Sequence, residues 1–449
     1  MSNELNSFLF STPEMTATFS SQEQLKAMAR FEWALTCALE KHGLAEPGSG
    51  AVLQSFLDAS FVDLEALQGD AKKNGNITIP FVKQLTAKVQ AQNRTTARAI
   101  HLGATSQDLL DTALVLTIAK ALNLIEGVLD RLDRSLVRHI QIHAQTVMVG
   151  RTWLQPAPPT TFGLKLAGVL AALRHDRARI RAAGERARVL QFGGAVGTLS
   201  ALGSAGPSVA AELAHLLDLK EAELPWHTQR DRFVEIVQVL AILTGTLAKF
   251  ATDIALLMQA EVAEVSEGAP GAGGGSSTMP HKQNPVACAA VIAIHARMPG
   301  LVATMLHAMP QEHERGLGLW QAEWDIVPQS FRLAAAALAY SVQLAEGLQV
   351  DVARMQSNLQ GMLGLPMAEA VSVALARKIG RAEAHELLRT ASQRAVEQKR
   401  QLGAVLKETP EVAAHLSSAE IDRLLDPRNY LGSAPKFIAR LLGDANAGR

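Results

Sequence analysis

The chain has 449 residues, and at roughly 150 residues per domain its length suggests about three domains, or fewer if one is a long bundle. The 43 Lys and Arg balance 43 Asp and Glu, which excludes a general binder of nucleic acid or anionic membrane and leaves small charged ligands open. With 48% hydrophobic and 19% charged residues this is a globular chain with ample core material, and its two cysteines, Cys37 and Cys288, are too few for a disulfide framework and fit a reducing compartment.

Met1 to Phe10 has no basic start followed by an apolar run, so no secretory leader is expected and the cytoplasm is the expected location. Ser20 and Glu23 have capping-box spacing at the start of a helix that runs to Lys41, with Gly43 just past its end. Period-two alternation, the mark of a strand, is confined to short pieces such as Ile77–Val82. Val115, Ile118, Leu122, Ile125, Leu129, Leu132 and Leu136 form a three-and-four-spaced apolar stripe, with no proline between Thr112 and Arg151.

A further helix is expected near Thr161–Leu190. The uncharged stretch Val189–Ala211 holds too many glycines for a spanning helix and reads as a loop flanked by helix. Phe233, Ile236, Leu240, Leu243, Leu247, Phe250, Ile254 and Leu257 form a second stripe. Helices follow near Val286–Met309, with Pro299 as a kink, and Phe331–Leu348; after Asp351 they shorten, and Ser417 with Glu420 offers another capping box.

Helices of 30 or more residues run about 45 Å and need partners along their whole stripe, which a bundle supplies. The predicted fold is all-α, divided as an N-terminal helical domain (1–112), a central long-helix bundle (113–353) and a C-terminal helical domain (354–449). Buried helices without a bundle are the blander alternative.

The glycine-rich stretch Gly268-Ala-Pro-Gly-Ala-Gly-Gly-Gly-Ser-Ser-Thr-Met-Pro-His-Lys-Gln-Asn-Pro285 is the most informative. It lacks the Gly-Lys-Ser/Thr order of a Walker loop and the preceding strand of a dinucleotide loop. Mobile glycines followed by Ser276, Ser277, Lys282 and Asn284 on a proline-stiffened segment suit a lid over a substrate, against the alternative of a plain interhelical linker.

Ser276-Ser-Thr-Met-Pro-His-Lys-Gln-Asn-Pro285 resembles the signature of the fumarase/aspartase superfamily. His101-Leu-Gly-Ala-Thr-Ser-Gln-Asp-Leu-Leu-Asp-Thr112 is similar to its first shared region and Gly150-Arg-Thr-Trp-Leu-Gln-Pro156 to its second. The resemblance covers essentially the whole chain. It implies a three-domain helical subunit whose central bundles form a homotetramer, with each active site built from three subunits. It also implies that Ser276 handles the carbon-bound proton, with His101 a competitor for that role. Lys282 and Asn284 are expected to bind a substrate carboxylate and steady a carbanion. Thr105 and Ser106 are expected to hold another carboxylate, and Thr152, Trp153, Gln155 and Ser277 to line the substrate site.

One departure narrows the chemistry. Where lyases of this superfamily typically carry Thr-His, this chain has Thr152-Trp153, and an indole N–H has no titratable proton to give a leaving group. A basic amine or hydroxide needs that proton; a carboxylate, with a pKa of about 4, does not. Lactone formation by an internal carboxylate is therefore the expected reaction, on a small tricarboxylate, without metal or cofactor.

The stretch Gln311-Glu-His-Glu-Arg-Gly-Leu-Gly-Leu-Trp-Gln-Ala-Glu-Trp324 and the opening Phe31-Glu-Trp-Ala34 resemble the lactone-forming branch, with Arg315 as a bidentate carboxylate clamp or, more plainly, a surface salt bridge. The alternatives are an amine-eliminating lyase of the adenylosuccinate or argininosuccinate type and a helical protein that has lost catalysis. No nucleic-acid or membrane partner is expected.

Overall fold

Both apolar stripes become interior faces of long helices. Every member of the second stripe, Phe233 to Leu257, is 3% exposed or less on the helix Asp231–Leu257, and the first stripe, apart from the half-buried Leu122, is buried on the helix Ser106–Ile142. The structure, a computed structural model, describes residues 7–268, 275, 279 and 282–443. Its fold is all-α. Five helices dominate it: Ser106–Ile142, Phe162–Ala187, Asp231–Leu257, Val286–Ala308 and Leu319–Gly347. The strands among the described residues form two antiparallel pairs, Val147–Thr152 with Gln155–Thr161 and Val265–Glu267 with Leu348–Val350.

Two expectations change in detail, while the helix expected near Val286–Met309 is found. Ile77–Val82 is not a strand: it opens the helix Thr78–Gln92, where Pro80 is tolerated because first-turn N–H groups need no helical partner. Six alternating residues are too short a run to outweigh that start. The helix expected from Phe331 begins twelve residues earlier, at Leu319, and passes through Pro328. The helix Val286–Ala308 continues on both sides of Pro299.

Contacts divide the chain into two compact units. One comprises Met1–Leu129, Asp176–Gly245 and Ala293–Ala339; the other comprises Asp130–His175, Thr246–Ile292 and Tyr340–Arg449. Each of the five long helices contributes a stretch to both, so this division falls inside helices.

In the first unit the helix Ser21–Lys41 sets Phe31, Leu35 and Leu39 into a core with Phe81, Leu109, Phe192, Val209 and Leu213. Ser20 Oγ accepts the Glu23 N–H at 3.3 Å, but the Glu23 carboxylate turns to Lys26 and Lys120 instead of closing the box. In the second unit the short C-terminal helices pack around Val371, Leu375, Leu388, Leu402 and Val405, and Ser417 with Glu420 makes both capping-box bonds.

Candidate active site

The first motif region forms a loop that ends at the N-terminus of the 37-residue helix Ser106–Ile142, in the first unit. His101 sits there with φ 59°, a left-handed conformation that turns its N–H and its ring toward one acceptor. That acceptor is Glu32, fully buried on the helix Ser21–Lys41: its Oε2 accepts the His101 N–H at 2.9 Å and its Oε1 lies 2.6 Å from His101 Nδ1. Burial pushes the imidazole pKa down, but the Glu32 charge and hydrogen bond, helped by Asp108, outweigh it, and the net displacement is upward.

Asp108, also fully buried, organises the rest of the loop. Its carboxylate accepts N–H groups of Thr105 at 3.0 Å, Gly193 at 3.0 Å and Gly194 at 2.9 Å, and lies 2.7 Å from His227 Nε2. The uncharged loop near residue 193 is thus a pair of amides folded onto a carboxylate. Gly194 has φ +70°, and a Cβ there would stand 2.9 Å from the Gly103 carbonyl oxygen, so a side chain fits neither the torsion nor the space. Thr105 and Ser106 are left half-buried at the positive end of the longest helix, a setting that favours an anion.

Arg315 belongs to the same unit. Its Nη2 donates to the carbonyls of Gly194 at 3.2 Å and Ala195 at 2.7 Å, which fixes it to the loop that wraps Asp108. One helical turn beyond Asp108, Asp111 takes part in a buried cluster with Arg230, Glu323, Trp320 and Gln107. His227 and Arg230 lie outside every stretch that the sequence singles out, while Glu32 and Glu323 stand inside Phe31-Glu-Trp-Ala34 and the stretch 311–324, where neither has a role of its own by sequence. Asp108 and Asp111 stand in the first motif itself, three apart on one helix face, a spacing that could have drawn attention to them.

The second motif region lies in the second unit as a hairpin whose register pairs Thr152 with Gln155. Its two-residue turn is Trp153-Leu154, with φ 54° and 63°, the positive values that such hairpin turns require and that bulky residues seldom adopt. The turn leaves Trp153 96% exposed. Arg151 supports the hairpin with a two-pronged bond to the buried Glu264, at 3.0 and 2.7 Å. A Cβ on Gly150 would lie 2.2 Å from the Pro158 carbonyl oxygen, so the strands can approach here only at a glycine.

Lys282 and Asn284, in the same unit, are exposed and half-buried at the end of the signature stretch; Ser276 and Ser277 lie outside the described residues. Glu267, just before the stretch, accepts the N–H groups of Ala287 at 2.9 Å and Cys288 at 2.8 Å just after it. One carboxylate therefore ties the two ends together and caps the helix Val286–Ala308. Among the described residues no three His, Cys, Asp or Glu side chains are grouped to hold a metal ion. His101, Thr105, Ser106 and Arg315 thus share one unit, while Thr152, Trp153, Gln155, Lys282 and Asn284 belong to the other.

The family described as Lyase matches residues 15–300, and the one described as Adenylosuccinate lyase C-terminus matches residues 364–441. The chain belongs to the lyase family. It is 49% identical over 445 residues to a 3-carboxy-cis,cis-muconate cycloisomerase of Pseudomonas aeruginosa, an alignment covering 99% of this chain and 97% of that one. The solved 3-carboxy-cis,cis-muconate lactonizing enzyme of Pseudomonas putida has a TM-score of 0.93 and 47% identity over 98% of each chain. The beta-carboxy-cis,cis-muconate cycloisomerase of Acinetobacter calcoaceticus has a TM-score of 0.92 and 37% identity over 98% of this chain and 100% of that one. The expected all-α, fumarase/aspartase-like fold with a long helical bundle is borne out.

Proposed function

We infer that this lyase is a cycloisomerase that interconverts 3-carboxy-cis,cis-muconate and 4-carboxymuconolactone, a step of protocatechuate breakdown in the beta-ketoadipate pathway. The observation that carries the reading is Trp153, at the tip of the second-region hairpin where superfamily lyases typically carry a histidine. An indole cannot protonate a departing amine, and a carboxylate nucleophile or leaving group needs no such acid. The full-length likeness to muconate cycloisomerases agrees with this and favours it over an adenylosuccinate-type elimination.

In the lactonising direction a substrate carboxylate oxygen adds to the conjugated double bond and closes a five-membered ring. The π electrons move to the neighbouring carbon, where its carboxylate spreads the charge as an enediolate, and a proton then completes the C–H bond. Lactone formation from the ionised substrate thus takes up one proton, which the donor regains from solvent, and the carboxylate charge lost to the ester balances it. Because the nucleophile belongs to the substrate, holding it ready to attack supplies much of the acceleration; well-oriented internal reactions gain about 7–11 kcal/mol.

The roles proposed for the site residues follow from this course. Ser276 delivers the proton, with His101 the competing donor. Lys282 and Asn284 steady the enediolate, Thr105 and Ser106 hold a second carboxylate at the helix N-terminus, and Arg315 faces a third. Thr152, Trp153, Gln155 and Ser277 shape the pocket. We further propose a cytoplasmic homotetramer with sites shared between subunits. Two exposed features support shared sites: the hairpin tip, and the apolar helix Val286–Ala308, whose most apolar 18-residue window is only 28% buried within the chain. The domain division at 112 and 353 is kept as part of that reading.

The test is the ultraviolet absorbance of 3-carboxymuconate, followed with purified protein, and separately that of adenylosuccinate. Loss of the muconate absorbance is expected, and its persistence overturns the reading. Turnover of adenylosuccinate instead would move the chain to the amine-eliminating branch.

A further inference from the structure

Glu32 lies in the opening stretch Phe31-Glu-Trp-Ala34, outside the three shared superfamily regions; it is fully buried, and among the described residues both hydrogen bonds to its carboxylate come from one residue, His101. A buried carboxylate is costly unless an opposite charge and hydrogen bonds meet it. Among the described residues the only titratable group bonded to Glu32 is the His101 ring. The backbone N–H of His101 occupies Oε2, so the carboxylate is locked with Oε1 against Nδ1, and Nδ1 must carry the proton. No described residue meets Nε2, and the side chain is 19% exposed, so the far end of the ring is its open end.

We propose that Glu32 is a positioning residue that holds His101 as an imidazolium, with Nδ1–H turned inward and Nε2–H offered to a substrate carboxylate, so that His101 works as a fixed cation and acid and not as the base. This rests on the cycloisomerase reading for the identity of the substrate alone. The charged groups that act on the ring agree with it: Glu32, bonded to it, and Asp108, itself bonded to His227, both favour a positive ring. The left-handed backbone at His101 has a purpose in this arrangement, because it lets N–H and ring reach the same carboxylate.

The isosteric change Glu32→Gln separates positioning from packing. A glutamine keeps two hydrogen bonds: its oxygen accepts the backbone N–H and its amide donates to Nδ1. That bond reverses the tautomer and removes the charge. Nuclear magnetic resonance of ring-labelled histidine in the intact protein, assigned with His101→Asn, reads the ring without substrate. In the unaltered protein His101 is expected to be mostly doubly protonated at pH 7, and a neutral ring there overturns the proposal even if Glu32→Gln fails to fold. In Glu32→Gln its titration is expected to fall by about 1–3 pH units. The alkaline limb of kcat/KM for 3-carboxymuconate should move down by the same amount, with KM rising more than kcat falls. A uniform loss of rate at every pH, with the titration unmoved, would mark Glu32 as packing only and sink the idea. Because the titration needs no turnover, failure of the muconate assay leaves it standing as a separate result.

Discussion

Arg230 and Asp111 meet through two parallel hydrogen bonds away from solvent, Nη1 to Oδ2 at 2.7 Å and Nη2 to Oδ1 at 3.0 Å, with both residues 2% exposed or less. A second carboxylate, Glu323, takes Nη2 at 2.6 Å, and Trp320 Nε1 adds a bond to Asp111 at 3.0 Å. Burial works against the guanidinium charge, but two carboxylates hold the Arg230 pKa well above its usual value, while burial pushes Glu323 up against the pull of Arg230. The cluster joins the first-region helix to Arg230, just before the helix Asp231–Leu257, and to the helix Leu319–Gly347.

Removing the cation leaves two buried carboxylates facing each other. Arg230→Met is therefore expected to cost about 3–5 kcal/mol of stability, read from the shift of the denaturant unfolding midpoint at constant slope. The triple change Arg230→Met, Asp111→Asn and Glu323→Gln should recover part of the loss, since it removes the uncompensated charges. A loss under about 1 kcal/mol for Arg230→Met would mean that water or relaxation already screens the cluster.

The hairpin offers a test that divides fold from chemistry. Trp153 is 96% exposed within the chain, so Trp153→Ala should change the stability of the isolated subunit by no more than about 0.5 kcal/mol while lowering kcat/KM. Gly150→Ala, three residues before it, forces a Cβ onto the Pro158 carbonyl and should destabilise by about 1–3 kcal/mol. Equal stability losses at the two positions would contradict the assignment of Trp153 to function.

What the sequence disclosed follows from the range of the forces involved. The stripes Val115–Leu136 and Phe233–Leu257 were legible because burial repeats with helical period along one element. The start at Leu319 was not, because Pro328 breaks the pattern while Trp320 and Glu323 are buried by partners remote in sequence. Ile77–Val82 misled for the opposite reason: a few alternating residues also fit a helix N-terminus. In the site, residues inside dense motifs could be named in advance. Glu32 and Arg230 could not, since each is defined by a partner 69 or 119 positions away and by a burial that no local pattern records.

Ser276 carries the most direct catalytic prediction. If it transfers the carbon-bound proton, Ser276→Ala should lower kcat by roughly 10²-fold or more while the unfolding midpoint stays put. The proton inventory can be read by solvent exchange into the lactone at the ring-adjacent carbon. Near-normal turnover and exchange would shift the proton to His101, and would then require His101→Asn to abolish both.

Acid sensitivity is expected from a different pair. His139 and His143 stack with ring centroids 6.1 Å apart in the second unit, His139 Nε2 lying 2.8 Å from the Ala345 carbonyl oxygen and His143 Nδ1 lying 3.0 Å from Thr146 Oγ1. Burial pushes both below the usual histidine range; Arg138 adds to this at His139, and His139 itself adds to it at His143. The unfolded chain takes up these protons near pH 6.5, the folded chain only at lower pH, so between the two the unfolded state binds more protons and stability falls as the pH is lowered. His101 works in the opposite sense: with its folded-state value raised, its contribution is complete below about 6.5 and fades as the pH rises through that raised value. The double change His139→Gln and His143→Gln should therefore flatten the acid side of the stability curve between about pH 7 and pH 5 and leave the alkaline side as it was. Thermal unfolding across that range measures it, and an acid slope equal to that of the unaltered protein would place the sensitivity elsewhere.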